Sequence, residues 1–84
     1  MRAKRPGAAD DEIIFEFIRI GDSQRCAAVH AATGIEVVIQ APASAARHDV
    51  QAVATRKLER ALKRAQAADE AARAIAAKRG KRLY

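Results

Sequence analysis

EIIFEFIRIGDSQRCAAVHAATGIEVVIQ, residues 12–40, decides the fold. Its opening, Glu12 to Ile20, is dense in β-branched and aromatic residues and too short for a helix of ordinary length, which predicts a strand. Gly21-Asp22-Ser23 supplies a turn. A second strand is expected from about Gln24 to Ala31, with Cys26, Ala28 and His30 on one face and Arg25, Ala27 and Val29 on the other. The AATG loop ends on Gly34, which has no Cβ and so accepts the left-handed conformation that closes a four-residue hairpin. Ile35 to Gln40 forms the third strand, with Ile35, Val37 and Ile39 on one side and Glu36, Val38 and Gln40 on the other.

Downstream, Pro42 has no amide hydrogen to give a ladder, and Ser44, or alternatively Asp49, is the expected cap of a helix. From there to about Arg79 the chain is rich in Ala, Arg, Lys and Leu with no internal Gly or Pro, a strong helix signal, and Gly80 is the expected stop. Val50, Ala54, Leu58, Ala61, Leu62 and Ala65 make one apolar stripe, which Ala68, Ala72 and Ala76 continue with much smaller side chains. That thinning predicts a weak point near Ala67, where the helix breaks or frays unless it continues unbroken. The fold class is α+β: a three-stranded antiparallel meander followed by a long C-terminal helix, βββα. Residues 1–11 read as a disordered charged arm, 12–65 as the single domain, and 66–84 as an Ala-rich basic extension.

Both faces of the first strand are apolar. Ile13, Phe15 and Phe17 alternate with Ile14, Ile18 and Ile20, and the latter set is interrupted only by Glu16. One helix covers one side of a sheet. The other side then needs a second copy, another protein, or the distal helix folded back at Ala67, so Ile14, Ile18 and Ile20 are the candidate association face and a homodimer is the preferred state.

Eighty-four residues with 22 Ala and 18 Leu, Ile, Val, Phe or Met leave room for one small domain and exclude most independent enzymes. Lys and Arg number 16 against 10 Asp and Glu, and ten of the 16 fall in residues 51–84 beside three acids. Arg56, Lys57, Arg60, Lys63 and Arg64 share an arc of about 120° of the helix and are the candidate phosphate contacts; Lys78-Arg79, Lys81-Arg82 and the arm's Arg2, Lys4 and Arg5 are further basic groups. Glu59 with Lys63 and Asp69 with Arg73 have the spacing of helical ion pairs. Such an arc suits backbone contact with RNA or DNA, without base readout, but a solvated helix face is the preferred reading, because Arg and Lys are good helix formers. No aromatic residue accompanies it, which argues against a base-stacking platform, and its alanine stripe argues against insertion into a membrane surface.

Catalysis is not expected. Cys26 and His30 share a strand face but stand roughly 13 Å apart along it, too far for proton transfer. His48, Asp49 and Glu36 complete no metal-ligand spacing, and no glycine-rich run cradles a phosphate. The expectation is therefore no catalytic residue, no metal, no cofactor and no small-molecule substrate. The lone cysteine, the absence of a signal-peptide pattern and the absence of any long apolar run predict a cytoplasmic chain without a membrane role. The working expectation is a self-associating assembly or structural domain, with nonspecific nucleic-acid binding as the alternative.

At EFIRIG (16–21), TGIEVVIQAPAS (33–44) and RKLERAL (56–62), the chain resembles a small family of unknown function associated with alphaproteobacteria, over about residues 13–62. The resemblance implies that the strands and the first half of the helix form the domain, and carries no activity or ligand with it.

Overall fold

Three strands and one helix follow one another as β1 (Ile13–Ile20), β2 (Ser23–His30), β3 (Glu36–Pro42) and α1 (Arg47–Arg82). The computed structural model describes residues 12–82, so the arm at 1–11, with Arg2, Lys4 and Arg5, lies outside the described residues. The sheet is an antiparallel meander in the order β1-β2-β3. The expected βββα fold is therefore the observed one.

Turn chemistry sets the register. Ile20 pairs with Ser23 across Gly21-Asp22, and Gly21 sits at φ 58 while Asp22 has negative φ, the arrangement of a two-residue hairpin turn with glycine first. At the other end Gly34, φ 75, closes the four-residue loop: its amide donates to the His30 carbonyl at 2.8 Å, and the His30 amide donates to Ile35 O at 2.9 Å. Thr33 Oγ1 accepts from the Ile35 amide at 3.2 Å and bonds His30 Nδ1 at 2.9 Å, which ties the loop to the strand. These turns align Phe15 with Ala28 and Val37, and Phe17 with Cys26 and Ile39.

Those aligned rows form the face that α1 covers. Val50, Ala54 and Leu58, at the i, i+4, i+8 spacing of one helical stripe, bury against Cys26 and Ala28, with Phe15, Phe17, Val37, Ile39 and Leu62 around them. Small side chains on β2 let the helix sit close over β2 and β3, while the larger rings of β1 flank it. Arg47 adds a clasp on that flank, its guanidinium carbon 4.3 Å from the centroid of the Phe17 ring.

Four expectations need correction. Neither Ser44 nor Asp49 caps the helix: the Ala46 carbonyl accepts the amides of Asp49 and Val50, and Asp49 lies in the first turn, where its charge favours the helix dipole. The connector is held instead by Gln24, whose Nε2 donates to the carbonyls of Pro42 and Ala45 at 3.0 Å each, and by the Ala43 amide on Asp22 O at 2.7 Å. Strand bounds also shift, β2 running from Ser23 and β3 from Glu36 through Pro42, which forms the last pair of the ladder with Ser23. Finally, α1 neither breaks at Ala67 nor stops at Gly80. It is one helix of 36 residues, about 54 Å long at 1.5 Å per residue, against strands of about 27 Å.

The helix therefore overhangs the sheet by roughly 30 Å, and every residue from Lys63 to Arg79 is exposed. A radius of gyration of 17.7 Å and extents of 62 × 30 × 19 Å record this projection, since a compact chain of this length has a radius near 12 Å. The distal half does not fold back over the sheet's second face.

Candidate interaction surfaces

Two surfaces stand out, on opposite sides of the molecule. The first is the sheet face turned away from α1. By register its rows are Ile14-Val29-Glu36, Glu16-Ala27-Val38, Ile18-Arg25-Gln40 and Ile20-Ser23-Pro42. Ile18 is 45% exposed and Ile20 56%, whereas Ile14 is half-buried. Ala27, at 8%, is shielded only because it is small and central. The sequence-named Ile14, Ile18 and Ile20 thus lie on one side of one strand of the open face, with Glu16 and Arg25 placed diagonally among them.

The second surface is the solvent side of α1. Arg56, Lys57, Arg60, Lys63 and Arg64 are all exposed there. Lys57 is committed elsewhere: its Nζ donates to Val38 O at 3.0 Å, on the outer edge of β3, and so blunts a strand edge that would otherwise offer free carbonyls. Among the described residues, none of the other four meets a carboxylate at ion-pair distance. The Asp69–Arg73 pair expected from spacing is present at 3.3 Å, while Glu59 and Lys63 are not joined.

Arg60 holds a position that the simple description of a basic arc misses. Its four helical neighbours at i−4, i−3, i+3 and i+4 are Arg56, Lys57, Lys63 and Arg64, every one basic. Like charges at this spacing destabilise a helix by about 0.2–0.5 kcal/mol per pair, less in salt. The signal was in the sequence, in the i±3 and i±4 positions around one residue.

Three further groups have the following surroundings. Cys26 is fully buried, and burial pushes its thiol up from the ordinary 9.0, with nearby Arg47 pulling less strongly the other way. His30 is occupied by Thr33, and His48 Nε2 lies 3.1 Å from Asp49 Oδ1 on the open surface. No group of three or more His, Cys, Asp or Glu among the described residues could hold a metal ion. An open cleft under the overhanging helix, lined by His30, Thr33, Ile35, Leu62, Ala65, Gln66 and Asp69, is mostly apolar and carries no convergent set of reactive groups. No described helix is long and apolar enough to cross a membrane.

The profile of one protein family matches residues 10–65, which is 56 of the 84 residues. The chain belongs to the family described as Domain of unknown function (DUF6898). No curated protein and no solved structure matches it. In this DUF6898 chain the family region takes in the whole sheet, the Gln24-clamped connector and the docked half of α1. It also contains Arg60 and all four of its basic neighbours. The match extends three residues beyond the expected 13–62 at each end.

Proposed function

We propose that this chain is a non-catalytic assembly module whose open sheet face stacks on that of a second copy. The carrying observation is the exposure of Ile18 and Ile20 on a face that α1 leaves uncovered and that its distal half does not reach. Isolated exposed isoleucines need no explanation; a row of them on a sheet with Val29 and Val38 alongside marks a surface that gains from leaving water. A second copy fits because the face is self-complementary. A two-fold axis across the strands sets Ile14 over Ile20 of the other copy, and brings Glu16 beside Arg25 of the other copy.

The face measures roughly 14 by 27 Å, about 380 Å² per copy and about 760 Å² for the pair, below the span of stable interfaces and within that of weak, transient ones. The pair is therefore a dissociable dimer, and its test is sedimentation over a concentration series. Wild-type chain should pass from monomer to dimer as concentration rises. Ile18→Asp should remain monomeric with an unchanged circular-dichroism spectrum, while Val53→Asp, on the solvent side of α1, should dimerise normally. A wild-type chain monomeric throughout, or an Ile18→Asp chain that dimerises as tightly, overturns the proposal.

A further inference from the structure

We infer that the solvent side of α1 binds the phosphate backbone of double-stranded nucleic acid, and that the dimer, by presenting two such sides in opposite directions, bridges two duplexes. The bridging clause rests on the sheet-face dimer proposed above; the binding clause does not.

The surface is a rod with positive charge at two places along it, separated by a stretch at 65–77 that carries Asp69 and Glu70 against Arg73. Among the described residues, Arg56, Arg60, Lys63 and Arg64 project from the docked half of α1 without an ion-pair partner, and Lys78 and Arg79 are exposed near its far end. Because α1 is unbroken, Arg60 and Lys78, 18 residues apart, stand on one line of the helix five turns and about 27 Å from each other. Two fixed groups of positive charge at that separation match a partner whose own charges are fixed in space. A duplex carries regularly spaced phosphates on a stiff axis; a flexible single strand would have to be ordered to meet both groups, and α1 offers no aromatic ring on which its bases could stack. A membrane surface is a poorer match, since the only large apolar side chains exposed along α1 among the described residues are Val53 and Ile75, 22 residues and about 33 Å apart, too sparse a pair to insert as a stripe. Concentrating like charge around Arg60 costs helix stability, and among the described residues only Lys57 of that cluster gains a bond in return, so an anionic partner offsets the cost.

Orientation gives the bridge. In a sheet-on-sheet dimer the layers run helix, sheet, sheet, helix, so the two basic rods lie on the order of 30 Å apart and face away from each other. One duplex cannot touch both.

The experiment uses the full chain with mixed-sequence duplex DNA and duplex RNA. Binding by fluorescence anisotropy should weaken about a thousandfold between 50 and 200 mM salt, the loss that five or six released phosphate counterions produce when both basic groups are engaged. The quadruple Arg56→Ala, Arg60→Ala, Lys63→Ala, Arg64→Ala variant should bind with a much shallower salt dependence and no sequence preference. Wild-type chain should retain a fluorescent duplex on an immobilised one; Ile18→Asp should bind a single duplex but retain none.

Absence of duplex binding, or a quadruple variant that binds like wild type, overturns the inference and leaves the sheet-face dimer standing if sedimentation shows it. Equal binding to vesicles of phosphatidylglycerol also overturns it. A wild-type chain that sediments as a dimer and binds duplexes but never retains a second one overturns the bridge. A monomeric wild-type chain removes the dimer and the bridge together, while duplex binding is still judged by the quadruple variant.

Discussion

Replacing Leu58 by alanine tests where the docked half of α1 is held. Leu58 is fully buried, and the other members of the buried cluster, Cys26, Ala28, Val50 and Ala54, are no larger than valine and sit on backbone already fixed by the sheet and the helix. They cannot collapse into the space left behind. Burying a leucine contributes about 1.5–3 kcal/mol from transfer alone, and an unrelaxed cavity brings the loss to about 3–5 kcal/mol. Folded domains hold roughly 0.05–0.15 kcal/mol per residue, and the overhang adds no tertiary contact, so the packed region has on the order of 3–8 kcal/mol to lose. Leu58→Ala should therefore remove most of the stability. Urea unfolding followed by circular dichroism, on the Ile18→Asp background so that association does not add to the result, gives the difference directly. Ile75→Ala is the internal control, because Ile75 is 54% exposed on the overhang and its loss should change stability by less than about 0.5 kcal/mol. A Leu58→Ala chain within about 1 kcal/mol of its parent, or an Ile75→Ala chain equally damaged, refutes the reasoning.

Three further outcomes follow from single residues. Arg60→Glu turns four like-charged helical pairs into opposite-charged ones and should stabilise the fold by about 1.5–4 kcal/mol at low salt, fading at high salt in thermal melts, while weakening duplex binding and lowering its salt slope; destabilisation would show that Arg60 has a structural partner. Cys26, with its thiol pushed up by burial, stays protonated in the fold at pH values where the unfolded chain loses its proton. The contribution is intact below the ordinary value of 9.0 and is lost as pH rises from there toward the folded-state value, so alkaline unfolding curves should show a fall that Cys26→Ala removes. Gly34→Ala meets no neighbouring atom within 4 Å, so its expected cost of about 1–2 kcal/mol is that of the left-handed backbone alone, and Gly34→Asn should cost less; equal melting of all three chains would contradict that origin.

Strand identity and order were legible because the relevant signals are local. Alternation from Ile13 to Ile20, glycine at Gly21 and Gly34, and the Ala- and Arg-rich run each act over a few residues, and each predicts its element without knowledge of the rest. The apolar stripe Val50, Ala54, Leu58 was legible for the same reason. Boundaries were less so. A capping serine is a favourable option for a helix start, but Gln24, far away in sequence, holds the connector in a path that puts Ala46 at the start instead. The helix passes Ala67 and Gly80 because high intrinsic propensity on both sides outweighs a thin stripe and a single glycine.

By itself the sequence determined the two hydrophobic faces of β1, the positive charge around Arg60 and the βββα order, all set by residue spacing and side-chain chemistry. Only the tertiary structure decided which face α1 occupies. The small side chains of Cys26 and Ala28 admit Leu58 closely on one side of the sheet, and the rigid helix then carries its distal half past the sheet rather than around it, leaving Ile18 and Ile20 open. That placement also sends Lys57 to Val38 and turns the other basic groups outward, since a side chain's partner depends on what the fold brings within a few ångströms of it.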